Sequence, residues 1–153
     1  QLKRRVADRN GLVSGRLPHH LSVCVTKFDD GRTFAESQRL TTLVRIDRNT
    51  GQPHIPRRFA EEYFDKICAG TKGTAENVRD AIRANFLPAN TRYYAVSAVG
   101  FSLGRDGQGW NPRFPANANA GADGQSIADR PRPINVLESV IDLERALRAA
   151  NQP

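Results

Sequence analysis

Residues 92–103, Arg-Tyr-Tyr-Ala-Val-Ser-Ala-Val-Gly-Phe-Ser-Leu, are apolar on both parities. A strand of that pattern must be covered on both faces rather than half-solvated. It is the candidate central strand, and the rest of the chain has to supply its neighbours and its cover. With 153 residues, 39% of them hydrophobic, the chain is long enough for one domain with one core. No run reaches the roughly 18 consecutive apolar residues of a membrane-spanning helix, so a membrane span is excluded together with collagenous and wholly disordered readings.

Around that strand the pattern predicts an antiparallel sheet. Leu21, Val23 and Val25 alternate with Ser22, Cys24 and Thr26, the period of a strand. Asp29-Asp30-Gly31 reads as a tight turn, and residues 33–46 read as a second strand with Leu40, Thr42, Val44 and Ile46 on one face, giving a hairpin. Arg48-Asn49-Thr50-Gly51 makes the next turn.

Three helices follow by periodicity. Phe59, Tyr63, Phe64 and Ile67 form one stripe, ended by Gly70. Thr74 is placed to cap a second helix over 75–86, with Val78, Ile82 and Phe86 inward and Pro88 as its stop. The third runs over 136–150, capped by Asn135 with Glu138 three positions on and striped by Leu137, Val140, Ile141 and Leu147. Phe59, Ile67, Ile82, Val99 and Leu137 are the expected core, with Phe59→Ala costing about 3–5 kcal/mol. The fold class is α+β: a single domain, 1–153, with an antiparallel sheet packed against three helices, a basic N-terminal arm over 1–16 and a long loop over 104–133. That loop holds five Gly, four Pro and three Asn, with Trp110 and Phe114 as anchors; loops beyond about 12–15 residues are usually functional or disordered.

The formal net charge is +7, carried by 19 Arg and only 4 Lys. Arginine's planar fork suits phosphate, although GC-rich coding yields the same bias. Residue 1 is Gln and there is no Met, which suggests a piece of a larger processed protein. Cys24 and Cys68 form no CxxC or CxxH pattern, so zinc is not expected. Both are read as buried free thiols, and a bridge between them stays open. No metal motif, phosphate-cradling glycine loop or GxSxG elbow is present, and no cofactor is expected.

Candidate chemistry rests on few residues. His19, His20 and His54 are the only histidines, hence the only side chains titrating near neutrality without perturbation. With Arg45 or Arg58 they could serve a metal-free ribonuclease if the fold gathers them. Enzymatic activity is left undecided, as is the compartment. The broader signal is basic: Arg4, Arg5 and Arg9 in the arm, Arg45, Arg48, Arg57 and Arg58 around the second turn, and Arg79 with Arg83 on one helix, beside Trp110 for base stacking. This pattern points to a nucleic-acid-binding domain, for RNA or single strands. A self-assembling, coat-like homo-oligomer whose basic face meets nucleic acid is a further expectation.

Residues Asp30-Gly31-Arg32-Thr33-Phe34-Ala35-Glu36, then 43–53 (Leu-Val-Arg-Ile-Asp-Arg-Asn-Thr-Gly-Gln-Pro), then Ile55-Pro56 resemble the last strands of a hotdog-fold acyl-CoA thioesterase. The likeness covers about residues 21–63. It implies a thioesterase as the enzyme alternative. In that family the catalytic carboxylate and the long central helix precede these strands, whereas here only twenty residues do, so no catalytic residue carries over.

Overall fold

The computed structural model describes residues 2–8, 11–40, 42–70, 73–102, 118–121, 124–127 and 130–150. The elements run α1 (Leu2–Ala7), β1 (Leu21–Val25), α2 (Gly31–Gln38), β2 (Arg45–Ile46), β3 (Pro53–His54), α3 (Arg57–Gly70), α4 (Thr74–Asn85), a 3-10 turn (Pro88–Asn90), β4 (Thr91–Ala95), β5 (Ala118–Gly121), β6 (Gly124–Ile127) and α5 (Val136–Ala150).

The organising pair is β1 with β4, and it is parallel: Leu21 lies opposite Thr91, Val23 opposite Tyr93 and Val25 opposite Ala95. This corrects the expected antiparallel sheet. A parallel pair needs a long crossover, and α2, β2, β3, α3 and α4 occupy it. Tyr93 and Tyr94 point to opposite faces, as neighbours on a strand must. The Tyr93 ring lies 5.1 Å from Phe64 of α3, whereas the Tyr94 hydroxyl donates to Asp142 of α5 at 2.8 Å. The two strands are therefore sandwiched between α3 and α5, an α/β/α arrangement around a two-stranded sheet. The other pairs, β2 with β3 and β5 with β6, are small and antiparallel.

The expected hairpin over 21–46 does not form, because Asp30-Gly31 opens a helix. The Asp30 carboxylate accepts the Thr33 amide at 3.4 Å and its carbonyl accepts Phe34 N–H at 2.8 Å, the bonds of an N-cap. Asp and Gly serve hairpin turns and helix starts alike, and burial of Phe34 (3% exposed) selects the helix. Phe34 joins Phe28, Tyr63 and Phe101 in a core of edge-on rings. Arg45–Ile46 is all that remains of the second strand.

The expected core is only partly met. Phe59, Ile67, Ile82 and Val99 are half-buried. The α5 bounds agree with the sequence reading, but its stripe is exposed: Leu137 at 68%, Val140 at 64%, Ile141 at 42% and Leu147 at 48%. The covered side is centred on Ser139, whose carbonyl accepts Ser22 Oγ at 3.0 Å. Asn135 does not cap α5; at φ 54° its side-chain amide donates to Ala95 O at 2.9 Å, tying the helix start to the end of β4. Thr74 is the first residue of α4 rather than its cap, which is Gly73 without a side-chain bond.

Cys68 is buried as expected, and burial raises its thiol pKa. Cys24 is exposed, and both thiols are free. The loop expected over 104–133 contains the β5–β6 ribbon; Trp110 and Phe114 lie outside the described residues. No described helix is long and apolar enough to cross a membrane.

Candidate functional site

Ligands of open parallel α/β sheets sit beyond the carboxyl ends of the strands. Here those ends are the segments after Val25 and Ala95, and the backbone locks them side by side. Val96 N–H donates to Val25 O at 2.8 Å, and Phe28 N–H donates to Val96 O at 3.0 Å. Between these bonds the chain bulges at Lys27, whose φ of 56° is unusual for a residue with a Cβ. The following Phe28 is wholly buried against Phe34, Tyr63 and Phe101. Its burial anchors the segment and forces Lys27 and Asp29 to flank it at the strand end.

Asp29 is 9% exposed, yet its carboxylate takes neither hydrogen bond nor ion pair among the described residues. The residue is covered along its stem while its oxygens stay open at the strand end, since the fully buried side-chain polar atoms without a partner among the described residues are elsewhere, at His54 and Asp65. On the adjoining segment, Ser97 N–H and O pair with Ile134 at 3.1 and 2.8 Å, and Ser97 Oγ accepts Gly100 N–H at 2.7 Å. The tight turn exposes Ala98, whose N–H has no partner among the described residues. Gly100 completes the turn at φ 73°, where a Cβ would stand 2.2 Å from Arg132 O and 2.6 Å from Gln52 Oε1. The buried Gln52 amide donates to Phe101 O at 3.1 Å and accepts Phe101 N–H at 3.3 Å. The strand ends thus present a carboxylate and a backbone donor, both without partners among the described residues, and a long cationic side chain on a rigid frame.

The residues singled out by sequence distribute differently. Arg4 and Arg5 lie exposed on α1, and Arg9 and Trp110 fall outside the described residues. Arg45 and Arg58 come together over Phe59, their guanidinium carbons 5.5 and 4.8 Å from its ring centre. Arg48 is exposed in the turn beside them. There the Asp47 carboxylate accepts the Thr50 and Asn49 amides, each at 2.8 Å. The Thr50 amide is the foremost cause holding its pKa below the usual value, with the Asn49 amide and the Thr50 hydroxyl adding to it.

Arg57 pairs with Asp142 at 3.0 Å, tying α3 to α5. Arg79 pairs with Asp80 at 3.0 Å and Arg83 with Asp65 at 2.5 Å, so those two guanidiniums are engaged within the protein. His19 lines a cleft with Leu2, Arg5, Val6, Asp8 and Gly11. His54 lines a different one, about 170 Å³, with Asp47 and Glu138 among its walls, and its buried Nδ1 has no partner. No described cavity brings His19 or His20 together with His54. Among the described residues no group of three His, Cys, Asp or Glu could hold a metal ion.

Sequence reading passed over Asp29 and Ala98. Asp29-Asp30 has the composition of a turn, and the alternating run before it, ending at a carboxylate, was the available signal. Comparison with protein-family models, curated proteins and solved structures finds no match.

Proposed function

We propose that this chain is a nucleotide-binding α/β unit that seats a purine base, guanine by its hydrogen-bonding pattern, beyond the carboxyl ends of β1 and β4. The observation that carries this is the Asp29 carboxylate, without a partner among the described residues and fixed at the strand end by the burial of Phe28, on a segment locked beside the one that carries the exposed Ala98. A carboxylate accepts two parallel donors. Guanine offers a ring N–H beside an exocyclic amine, with a carbonyl next in line for a backbone N–H. Adenine offers its exocyclic amine beside an unprotonated ring nitrogen, which a carboxylate repels. The left-handed conformation of Lys27 supports the reading, since strained backbone concentrates at ligand sites, and the Lys27 stem can lie along a base while its ammonium reaches solvent.

A second reading, nucleic-acid binding, is favoured by Arg45 and Arg58 over Phe59, two cations held beside an aromatic ring. One titration series addresses both. Calorimetry with guanosine, inosine and adenosine diphosphates should rank guanosine first, inosine weaker for want of the amine, and adenosine undetectable; Asp29→Asn should weaken guanosine diphosphate at least about tenfold, as for loss of one charged hydrogen bond. Equal binding of the three, or an unaffected Asp29→Asn, refutes the nucleotide reading. Single-stranded RNA that binds with a steep salt dependence, weakened by Arg58→Gln and not by Asp29→Asn, selects the second reading.

A further inference from the structure

Arg57 and Arg58 are the first two residues of α3, whose opening turn holds no acidic side chain. The amino end of a helix carries partial positive charge, so two guanidiniums there add cation to cation. Arg57 has Asp142 to answer its charge. Arg58 lies exposed over the Phe59 ring and meets no carboxylate among the described residues.

A groove of about 530 Å³ joins this helix start to the beginning of β4, walled by Arg57, Arg58, Glu61, Thr91, Arg92 and Tyr93. Arg92 brings the second uncompensated charge. Its Nη1 donates to Ala89 O at 2.8 Å and to Thr91 O at 3.2 Å, which holds the side chain without neutralising it, because both acceptors are carbonyls. Its Nε and Nη2 have no partner among the described residues.

Tyr93 is an independent sign of a ligand. It is 8% exposed, yet its hydroxyl takes no hydrogen bond among the described residues, although a tyrosine this buried ordinarily finds one. The hydroxyl is not sealed in, since the fully buried unpartnered side-chain atoms are at His54 and Asp65. Burial first, and then the Glu61 charge, raise the Tyr93 pKa, which sets the hydroxyl near a carboxylate that borders this groove.

We propose that the groove binds the phosphate of a small organic phosphomonoester, with Arg58 and Arg92 gripping its oxygens and the Tyr93 hydroxyl donating to it. Guanidinium forks suit phosphate oxygens. Three separate donor groups match the three terminal oxygens of a monoester, where a diester has two, and two uncompensated guanidiniums match its charge of roughly −1.5 to −2. The volume falls in the range of small-ligand sites, so room remains beside Pro88 for the organic part. The site shares Arg58 with the nucleic-acid reading, but Arg92 and Tyr93 belong to neither reading, and Thr91 opens β4 at the end opposite the one that leads to Ala98.

Calorimetric titration of the intact chain with phenyl phosphate should show one site, and methyl phenyl phosphate, the matching diester, should bind at least about tenfold more weakly. Arg58→Gln and Arg92→Gln should each weaken phenyl phosphate at least about tenfold, and Tyr93→Phe about fivefold, as for loss of a charged and a neutral donor. Glu61→Gln should tighten it about threefold by removing a like charge. Arg148→Gln, the same charge change far away on α5, should leave it unaltered. Arg58 and Glu61 are exposed, so their variants keep the fold and carry the test even if Arg92→Gln unfolds. Equal affinity for monoester and diester, as a surface that only tracks backbone phosphates would show, overturns the inference. So does inorganic phosphate binding as tightly as phenyl phosphate, a loss with Arg148→Gln equal to that with Arg58→Gln, or no saturable binding up to about 10 mM phenyl phosphate.

Discussion

Phe28 is the residue on which both the core and the strand-end site depend, and its truncation has a predictable size. The side chain is fully buried and meets three rings edge-on: Phe34 at 5.8 Å, Tyr63 at 5.9 Å and Phe101 at 5.5 Å. Phe→Ala in a core costs about 3–5 kcal/mol. Edge-on pairs add roughly 0.5–1.5 kcal/mol each beyond burial, and ring walls collapse poorly into a cavity, so Phe28→Ala belongs at the upper end, about 5 kcal/mol. Phe59 sets the comparison. It is half-buried beneath two guanidiniums, so Phe59→Ala should cost about 1–2 kcal/mol, less than a fully buried ring. Urea denaturation with a shared m value measures both. With m near 2 kcal/mol/M, Phe28→Ala should lower the midpoint by about 2.5 M and Phe59→Ala by less than about 1 M. A Phe28→Ala loss below about 1.5 kcal/mol, or a larger loss at Phe59, would refute the placement of the core around the segment after β1.

Two further outcomes follow from single contacts. Tyr94 has its pKa pushed up to about 12, by burial first and then by its bond to the Asp142 carboxylate; the folded state therefore holds this proton more tightly than the unfolded chain. Its contribution is complete below about pH 10 and lost as pH rises toward 12, so alkaline denaturation should steepen in that window and Tyr94→Phe should flatten it. Gly100→Ala forces a Cβ into Arg132 O and Gln52 Oε1 at positive φ. It should destabilise by about 2 kcal/mol or more, and an unchanged thermal midpoint would show that the turn after β4 is not as tight as described.

Local signals were legible wherever one stretch of chain decides its own structure. The α3 and α5 helices were readable from apolar spacing, and α5 runs over Val136–Ala150 as expected, although the stripe that marked it lies exposed. Tyr93 and Tyr94 were readable as packed strand residues because a run apolar on both parities needs two covered faces. The basic residues were readable as types, but which guanidiniums are engaged was not. Arg57 and Arg83 find their carboxylates 85 and 18 residues away.

Tertiary structure alone decided the rest. Asp30-Gly31 suits a hairpin turn and a helix cap equally, and only the burial of Phe34 among rings from α3 and the segment after β4 selects the cap. The parallel pairing of β1 joins segments seventy residues apart, beyond the reach of any local pattern. In the same way α5 offers apolar residues on more than one flank, and the bonds of Ser139, Asn135 and Asp142 choose the covered side. Asp29 gains its meaning last: a carboxylate beside a turn is unremarkable in sequence, and becomes a candidate ligand group only when the burial of Phe28 fixes it next to the loop from β4, because an acceptor already held in place loses little freedom on binding.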